Sequence, residues 1–162
     1  MNVCEILSNL WVGNKEISMD KNFLKLHDIN IVINCTPDLP FRLKNIKNIR
    51  IPLNDNLEKK DAIQFYRLID KILKIIHKNL YKCNNILVHC YGGKQRSCSV
   101  ICAYLIKYGK MSYKDSINAI KSKYTNAFNP CVNLDHVLKL LEKRKNDVNN
   151  YTDNEFLIKD EE

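Results

Sequence analysis

Three consecutive apolar residues, Ile86-Leu87-Val88, lead into a short polar loop with Gly92-Gly93 and then into the apolar stretch Val100–Ile106. A strand with apolar residues at successive positions has both faces covered, as a central strand does. The following stretch, Ser97 to Tyr108, is long enough for a helix and ends at Gly109, a common helix stop. A central strand feeding a buried helix requires further strands beside it and helices above and below. Ile29–Asn34 (I-N-I-V-I-N) supplies a second β-rich run. Leu10–Gly13 and Ile49–Leu53 read as shorter strands.

Helical spacing appears elsewhere. Ile63, Tyr66, Ile69, Ile72, Leu73 and Ile76 recur at three- and four-residue steps and predict an amphipathic helix over Lys59–Asn79. Met19–His27 is expected to be a short helix capped by Ser18. Ser112 is expected to cap Tyr113–Tyr124, and a last helix is expected over Val132–Lys145. Strands alternating with helices predict an α/β layer fold: a central mixed, mostly parallel sheet of about four to five strands flanked by helices. Trp11 is read as core. His27, His77 and His136 are read as packing or surface residues.

At 162 residues, with a hydrophobic fraction of 45%, the chain has the material for one core. The longest apolar run, near Val100–Ile106, is far short of the roughly 20 residues a membrane span needs. Met1–Glu5 shows no basic region followed by an apolar stretch, so no secretory signal is expected. Seven cysteines, an odd number with no CxxC pair, favour a reducing compartment over a disulfide framework, with the protein expected in the cytoplasm or nucleus. The net charge is +8, yet residues 147–162 hold six carboxylates and one lysine, which leaves about +13 on residues 1–146. A basic body suits anionic partners. Residues 1–146 are therefore expected to form the working domain, and residues 147–162 an acidic, flexible tail.

The chemistry concentrates in His89-Cys90-Tyr91-Gly92-Gly93-Lys94-Gln95-Arg96-Ser97. A five-residue loop between a strand and a helix start lets successive backbone N–H groups converge into an anion nest. Glycines at 92 and 93 are expected to supply the unusual dihedrals. The same positive potential favours the thiolate of a cysteine at the nest's base. Arg96 can close the ring and hold two phosphate oxygens with its planar fork. A nucleophile under a phosphate cradle points to attack on phosphorus through a cysteinyl-phosphate. Such a reaction needs an acid for the leaving oxygen. Asp55, after Ile51-Pro52-Leu53, is the best placed carboxylate; Asp38, Glu58 and Asp61 are rivals. A Walker-type nucleotide loop is excluded, because Gln95 and not Ser or Thr follows Lys94. Cys98 and Cys102, one turn apart, read as small core residues rather than as zinc ligands with His89 and Cys90. Cys35 reads as a buried strand residue rather than as a redox partner of Cys90.

These residues resemble the signature of the cysteine-based dual-specificity protein phosphatases, within the protein tyrosine phosphatase superfamily. That signature is His-Cys, five residues with Gly at the third, then Arg and Ser or Thr; His89, Cys90, Gly93, Arg96 and Ser97 fit every fixed position. Ile6–Gly13 resembles the family's opening strand, Ile33–Thr36 its second strand end, Ile51–Asp55 its acid loop and Asn129-Pro130 its closing segment. The resemblance implies Cys90 as nucleophile, Arg96 as phosphate clamp, and Asp55 as general acid and base. It implies Ser97 as a donor to the sulfur and His89 as support beneath the loop. The backbone amides of Tyr91, Gly92, Gly93, Lys94, Gln95 and Arg96 would bind the phosphoryl oxygens. No metal or other cofactor is implied. Gly92 stands where the family often has Ala, and Gln95 where a small residue is common. Lys94 adds a rim cation, as in lipid phosphatases.

The expected partners are proteins phosphorylated on tyrosine and on serine or threonine. RNA 5′-phosphates or phosphoinositides are the alternative substrates, and a non-catalytic phosphate-binding module the alternative class. No membrane insertion is expected, and the protein is expected to be a monomer or weak dimer. Frequent Asn, Lys and Ile fit an AT-rich genome, viral or parasitic.

Overall fold

The computed structural model describes residues 2–56 and 58–149. The elements run β1 (Val3–Leu7), β2 (Leu10–Gly13), α1 (Lys15–Met19), α2 (Lys21–Leu26), β3 (Ile29–Asn34) and β4 (Lys47–Arg50). They continue α3 (Lys59–Tyr81), β5 (Asn85–His89), α4 (Arg96–Lys107), α5 (Tyr113–Lys123) and α6 (Asp135–Asn149). The five strands form one mixed sheet in the order β1-β2-β5-β3-β4. Only β1 is antiparallel; β2, β5, β3 and β4 run parallel. The α/β class and the strand number match the expectation.

Side chains alternate across the central strands with a period of two, and each face finds its own cover. Leu10, Val12, Ile31, Ile33, Ile86 and Val88 face the large core, which α3, α4, α5 and α6 close with Phe65, Ile69, Leu73, Ile101, Ile120 and Leu138. Leu87 and Val32 face the other way, into a smaller cluster with Leu24 of α2 and the partly buried Trp11 and Phe23. Ile29 joins this smaller cluster although Ile31 does not. The pairing with β5 shifts between them, since Ile29 opposes Asn85 and Ile31 opposes Ile86, one extra residue that flips the face. Helix α4 is buried from Arg96 to Ile106, which is why its sequence after Arg96 is apolar or small all round.

Several boundaries differ from the sequence reading. Ile6–Gly13 is not one opening strand but a hairpin, with Asn9 at φ 71° between β1 and β2. Met19–His27 is not one helix: Asn14 caps α1, and Asp20 ends it and caps α2. Ser18 is no cap, because its hydroxyl donates to Lys15 O inside α1. The fourth strand ends at Arg50 rather than Leu53, as Pro52 has no N–H to give a ladder. The last helix starts at Asp135 rather than Val132: Asp135 N closes a turn onto Val132 O, and the first helical bond runs from Leu138 N to Leu134 O. It runs on to Asn149, so 147–149, assigned above to the tail, are helical. The rest of the expected tail lies outside the described residues. No helix among the described residues is long and apolar enough to cross a membrane.

Candidate active site

In a parallel sheet the ligand crevice lies beyond the carboxyl ends of the strands. Four segments leave that edge together: Asn14 after β2, Cys35-Thr36 after β3, Ile51–Asp55 after β4, and Cys90 after β5. Cys90 is buried, and its Sγ lies 3.2 Å from the Ser97 hydroxyl in the first turn of α4. The seven residues from Cys90 to Arg96 therefore curl back on themselves.

Gly93 makes the curl. It sits at φ +71°, and a Cβ there would lie 2.9 Å from the Tyr124 hydroxyl and 3.0 Å from the Gly13 carbonyl carbon and oxygen. Gly92 differs from the expectation: its φ is not positive, and a Cβ would meet nothing within 4 Å. The loop is moored on each side. Tyr91 O accepts from Lys15 N at 3.0 Å, and Lys94 O accepts from Phe128 N at 2.8 Å. Cys98 Sγ donates to Gly93 O at 3.4 Å.

The Gln95 side chain points away from the nest. Its Nε2 donates to Cys131 O (2.6 Å) and Asn129 O (3.3 Å), and its Oε1 accepts from Asn133 N (3.0 Å). Only its backbone remains available to an anion. Lys94 is exposed. Tyr91 is 51% exposed and carries the Lys15 ammonium, with Nζ 2.7 Å from its hydroxyl and 4.1 Å from its ring centre.

Arg96 is 3% exposed. Its Nη1 donates to Leu53 O at 2.8 Å, and its Nη2 pairs with Asp55 Oδ1 at 3.1 Å. Its Nε is buried with no partner. An unpaired buried charged donor is costly, so this edge of the guanidinium is arranged for an incoming oxygen. Asp55, 82% exposed, stands at the open side of the site. Of its rivals, Asp38 is exposed on the β3–β4 loop, and Glu58 is the N-cap of α3. Asp61 is 3% exposed, with its oxygens engaged by Asn54 and Glu58.

His89 lies beneath the loop, with Nδ1 3.3 Å from Cys90 O. Burial, helped by the Arg50 and Arg96 charges, lowers its pKa to about 4, so it is neutral at pH 7. Cys35 follows the Asn34–His89 pair of the ladder and donates its N–H to His89 O. Burial pushes the Cys35 and Cys98 thiols well up, which keeps both protonated. All seven cysteines are free. Among the described residues, no three His, Cys, Asp or Glu side chains group as metal ligands.

The structure thus brings Cys90, Ser97, Arg96, Asp55 and His89 together. The sequence reading missed Leu53 O, Tyr124 and Gly13 as supports, and the bridging role of Gln95. Only Gln95 left a signal: a long amide where the pattern favours a small side chain.

A family model described as the dual specificity phosphatase catalytic domain matches residues 10–146. The chain belongs to this family. It is 32% identical over 117 residues to the dual specificity protein phosphatase Mpk3 of Drosophila melanogaster, covering 70% of this chain and 28% of that one. The chain therefore spans little more than a quarter of that relative's length. Human DUSP28 shares the fold at a TM-score of 0.78 and 18% identity, covering 89% of this chain and 95% of that one. PTPMT1 in complex with PI(5)P shares it at a TM-score of 0.73 and 16% identity, covering 92% and 99%.

Proposed function

We propose that this dual specificity phosphatase domain hydrolyses phosphate monoesters on tyrosine and on serine or threonine of proteins. The observation that carries the reading is the unpartnered, buried Nε of Arg96, set in the loop that also brings Cys90 Sγ and Ser97 Oγ to 3.2 Å. In this reading the Cys90 sulfur attacks phosphorus, and the phosphorus–oxygen bond to the substrate breaks. Asp55 gives its proton to the departing oxygen. The loop amides and Arg96 take up the charge spread over the phosphoryl oxygens. A water then yields a proton to Asp55 and attacks phosphorus. The phosphorus–sulfur bond breaks, and the Ser97 hydroxyl donates to the returning thiolate. His89 stays neutral and supports the Cys90 carbonyl from below.

The test is turnover of p-nitrophenyl phosphate and of phosphotyrosyl and phosphothreonyl peptides. Cys90→Ser is expected to abolish it; undiminished turnover would refute the mechanism. Asp55→Ala is expected to cost roughly 10²–10⁴-fold with poor leaving groups.

A second reading keeps the chemistry and changes the substrate to a phosphoinositide. The exposed Lys94 and the Lys15 ammonium on the Tyr91 rim favour it, and PTPMT1 was solved with PI(5)P. Phosphate release from PI(5)P vesicles exceeding that from phosphopeptides would decide for it; triphosphate-ended RNA is the third arm. Seven free thiols support a reducing compartment, cytosolic or nuclear. A monomer or weak dimer is part of this reading, and light scattering checks it.

A further inference from the structure

We propose that Asp61 is a positioning residue that holds the general acid Asp55 in place once substrate has taken Arg96; the proposal rests on the hydrolase reading above. Asp61 is the third residue of α3, and its carboxylate is almost wholly buried. Burial of a charge is tolerated only with partners, and three donors supply them.

These donors divide in an informative way. Oδ2 accepts from Glu58 N at 3.1 Å, which is all that capping the helix requires of it. Oδ1 has no part in the cap. It accepts from Asn54 N at 3.0 Å and from Asn54 Nδ2 at 3.2 Å. Asn54 immediately precedes Asp55. One rigid carboxylate on a 23-residue helix therefore grips the chain on both sides of the acid, at residues 54 and 58.

Asp55 needs this grip. Its side chain is 82% exposed and is held by the Arg96 Nη2 contact. A bound phosphate draws on the same guanidinium, so that contact weakens when the acid must act. The Asn54–Asp61 bonds do not involve the phosphate site and persist. They keep Asp55 over the leaving oxygen, where proton transfer requires it to be.

The experiment compares wild type, Asp61→Asn, Asp55→Ala and the double variant on two esters. p-Nitrophenyl phosphate needs little protonation of its leaving group; phenyl phosphate needs much. Asp61→Asn is expected to lower kcat for phenyl phosphate about tenfold or more, part of the range a general acid provides. The loss for p-nitrophenyl phosphate should stay below about threefold. Because Asp61 acts through Asp55, the double variant should be no slower on phenyl phosphate than Asp55→Ala alone. Equal losses on both esters, or losses that multiply in the double variant, would overturn the proposal.

Amide hydrogen exchange on Asp61→Ala gives an arm independent of turnover. The amides of Asn54 and Glu58 should exchange about tenfold faster or more, while those of β5 keep their protection. Unchanged exchange at 54 and 58 overturns the proposal whatever the activity. If the wild type cleaves neither ester, the hydrolase reading falls, and with it the role assigned to Asp61. Faster exchange in that case would leave Asp61 as a brace of the turn alone.

Discussion

Substituting alanine at Gly93 and at Gly92 separates two adjacent glycines that are both expected to supply unusual dihedrals. At Gly93 the backbone lies at φ +71°, where a residue with a Cβ loses about 1–2 kcal/mol. The added carbon would also sit 3.0 Å from the Gly13 carbonyl, which is backbone and cannot rotate away, and 2.9 Å from the Tyr124 hydroxyl. Overpacking of this kind costs a further ~1–3 kcal/mol. Together these give roughly 2–5 kcal/mol, and for a domain of this size a fall in Tm on the order of 10 °C. The loop can relax only by lifting off Gly13, which moves the amides between Cys90 and Arg96. A displacement approaching 1 Å at a reacting centre costs about 10²-fold in rate. Gly92→Ala meets nothing within 4 Å at a negative φ, so stability should hold or rise by up to about 1 kcal/mol through the unfolded chain. Thermal unfolding followed by circular dichroism, paired with p-nitrophenyl phosphate turnover, reads both. If Gly93→Ala melts with the wild type, or if Gly92→Ala falls as far as Gly93→Ala, the wedge argument is wrong.

His89 should make stability sensitive to acid. Its pKa is lowered to about 4 in the folded protein, so the unfolded chain takes up the proton first as pH falls. The stability it contributes is complete above the ordinary value near 6.5 and is lost progressively from there toward pH 4, by roughly 3 kcal/mol at most. Urea unfolding at pH 7 and pH 4.5 should show a steeper loss for the wild type than for His89→Asn; parallel losses would contradict the assignment. Gln95→Ser removes three hydrogen bonds to the 129–133 segment and should cost about 1–3 kcal/mol with a higher KM for peptides. Gln95→Glu should cost more than Gln95→Ser, because it aims a carboxylate at Cys131 O and Asn129 O; denaturant midpoints that rank the two the other way would count against the bridge.

The parts of the fold that were legible in the sequence are those set by local pattern. Ile86-Leu87-Val88 and Ile29–Asn34 show as apolar or β-branched runs, and the helix expected over Lys59–Asn79, which runs to Tyr81, repeats its apolar residues over enough positions for the period to show. The misread stretches carry short signals or depend on partners far away in the chain. In Ile6–Gly13 the turn signal is only two residues long: Ser8-Asn9 parts two apolar runs, with Asn9 at φ 71°, a conformation asparagine tolerates. Ser18 fits the pattern of a cap as well as Asn14 and Asp20 do, and only the chain's actual turns choose between them. Val132–Leu134 fit a helix start, yet they form a turn, with Asp135 N on Val132 O, that a side chain 38 positions earlier ties down at Asn133.

The site divides along the same line. Cys90, Gly93, Arg96 and Ser97 lie within eight residues between a strand and a helix start, a spacing that lets the chain curl back on itself. Asp55 was legible one step further out, from a strand expected to lie beside the central one; that strand pairs with β3 instead of β5, yet runs parallel to it and so ends on the same edge. What holds these groups still is spread over the whole chain: Leu53 O under Arg96, Gly13 and Tyr124 under Gly93, and Asp61 behind Asn54. Each contact joins a loop to an element whose place is known only once the sheet order is known. Reactive groups must converge on one small ligand, so they cluster in sequence or at the ends of neighbouring strands. Their supports need only be rigid and near in space. Substitutions at those supports should therefore degrade rate or stability while leaving the signature intact, which makes Gly93, Gln95 and Asp61 sharper probes of this domain than a further change at Cys90.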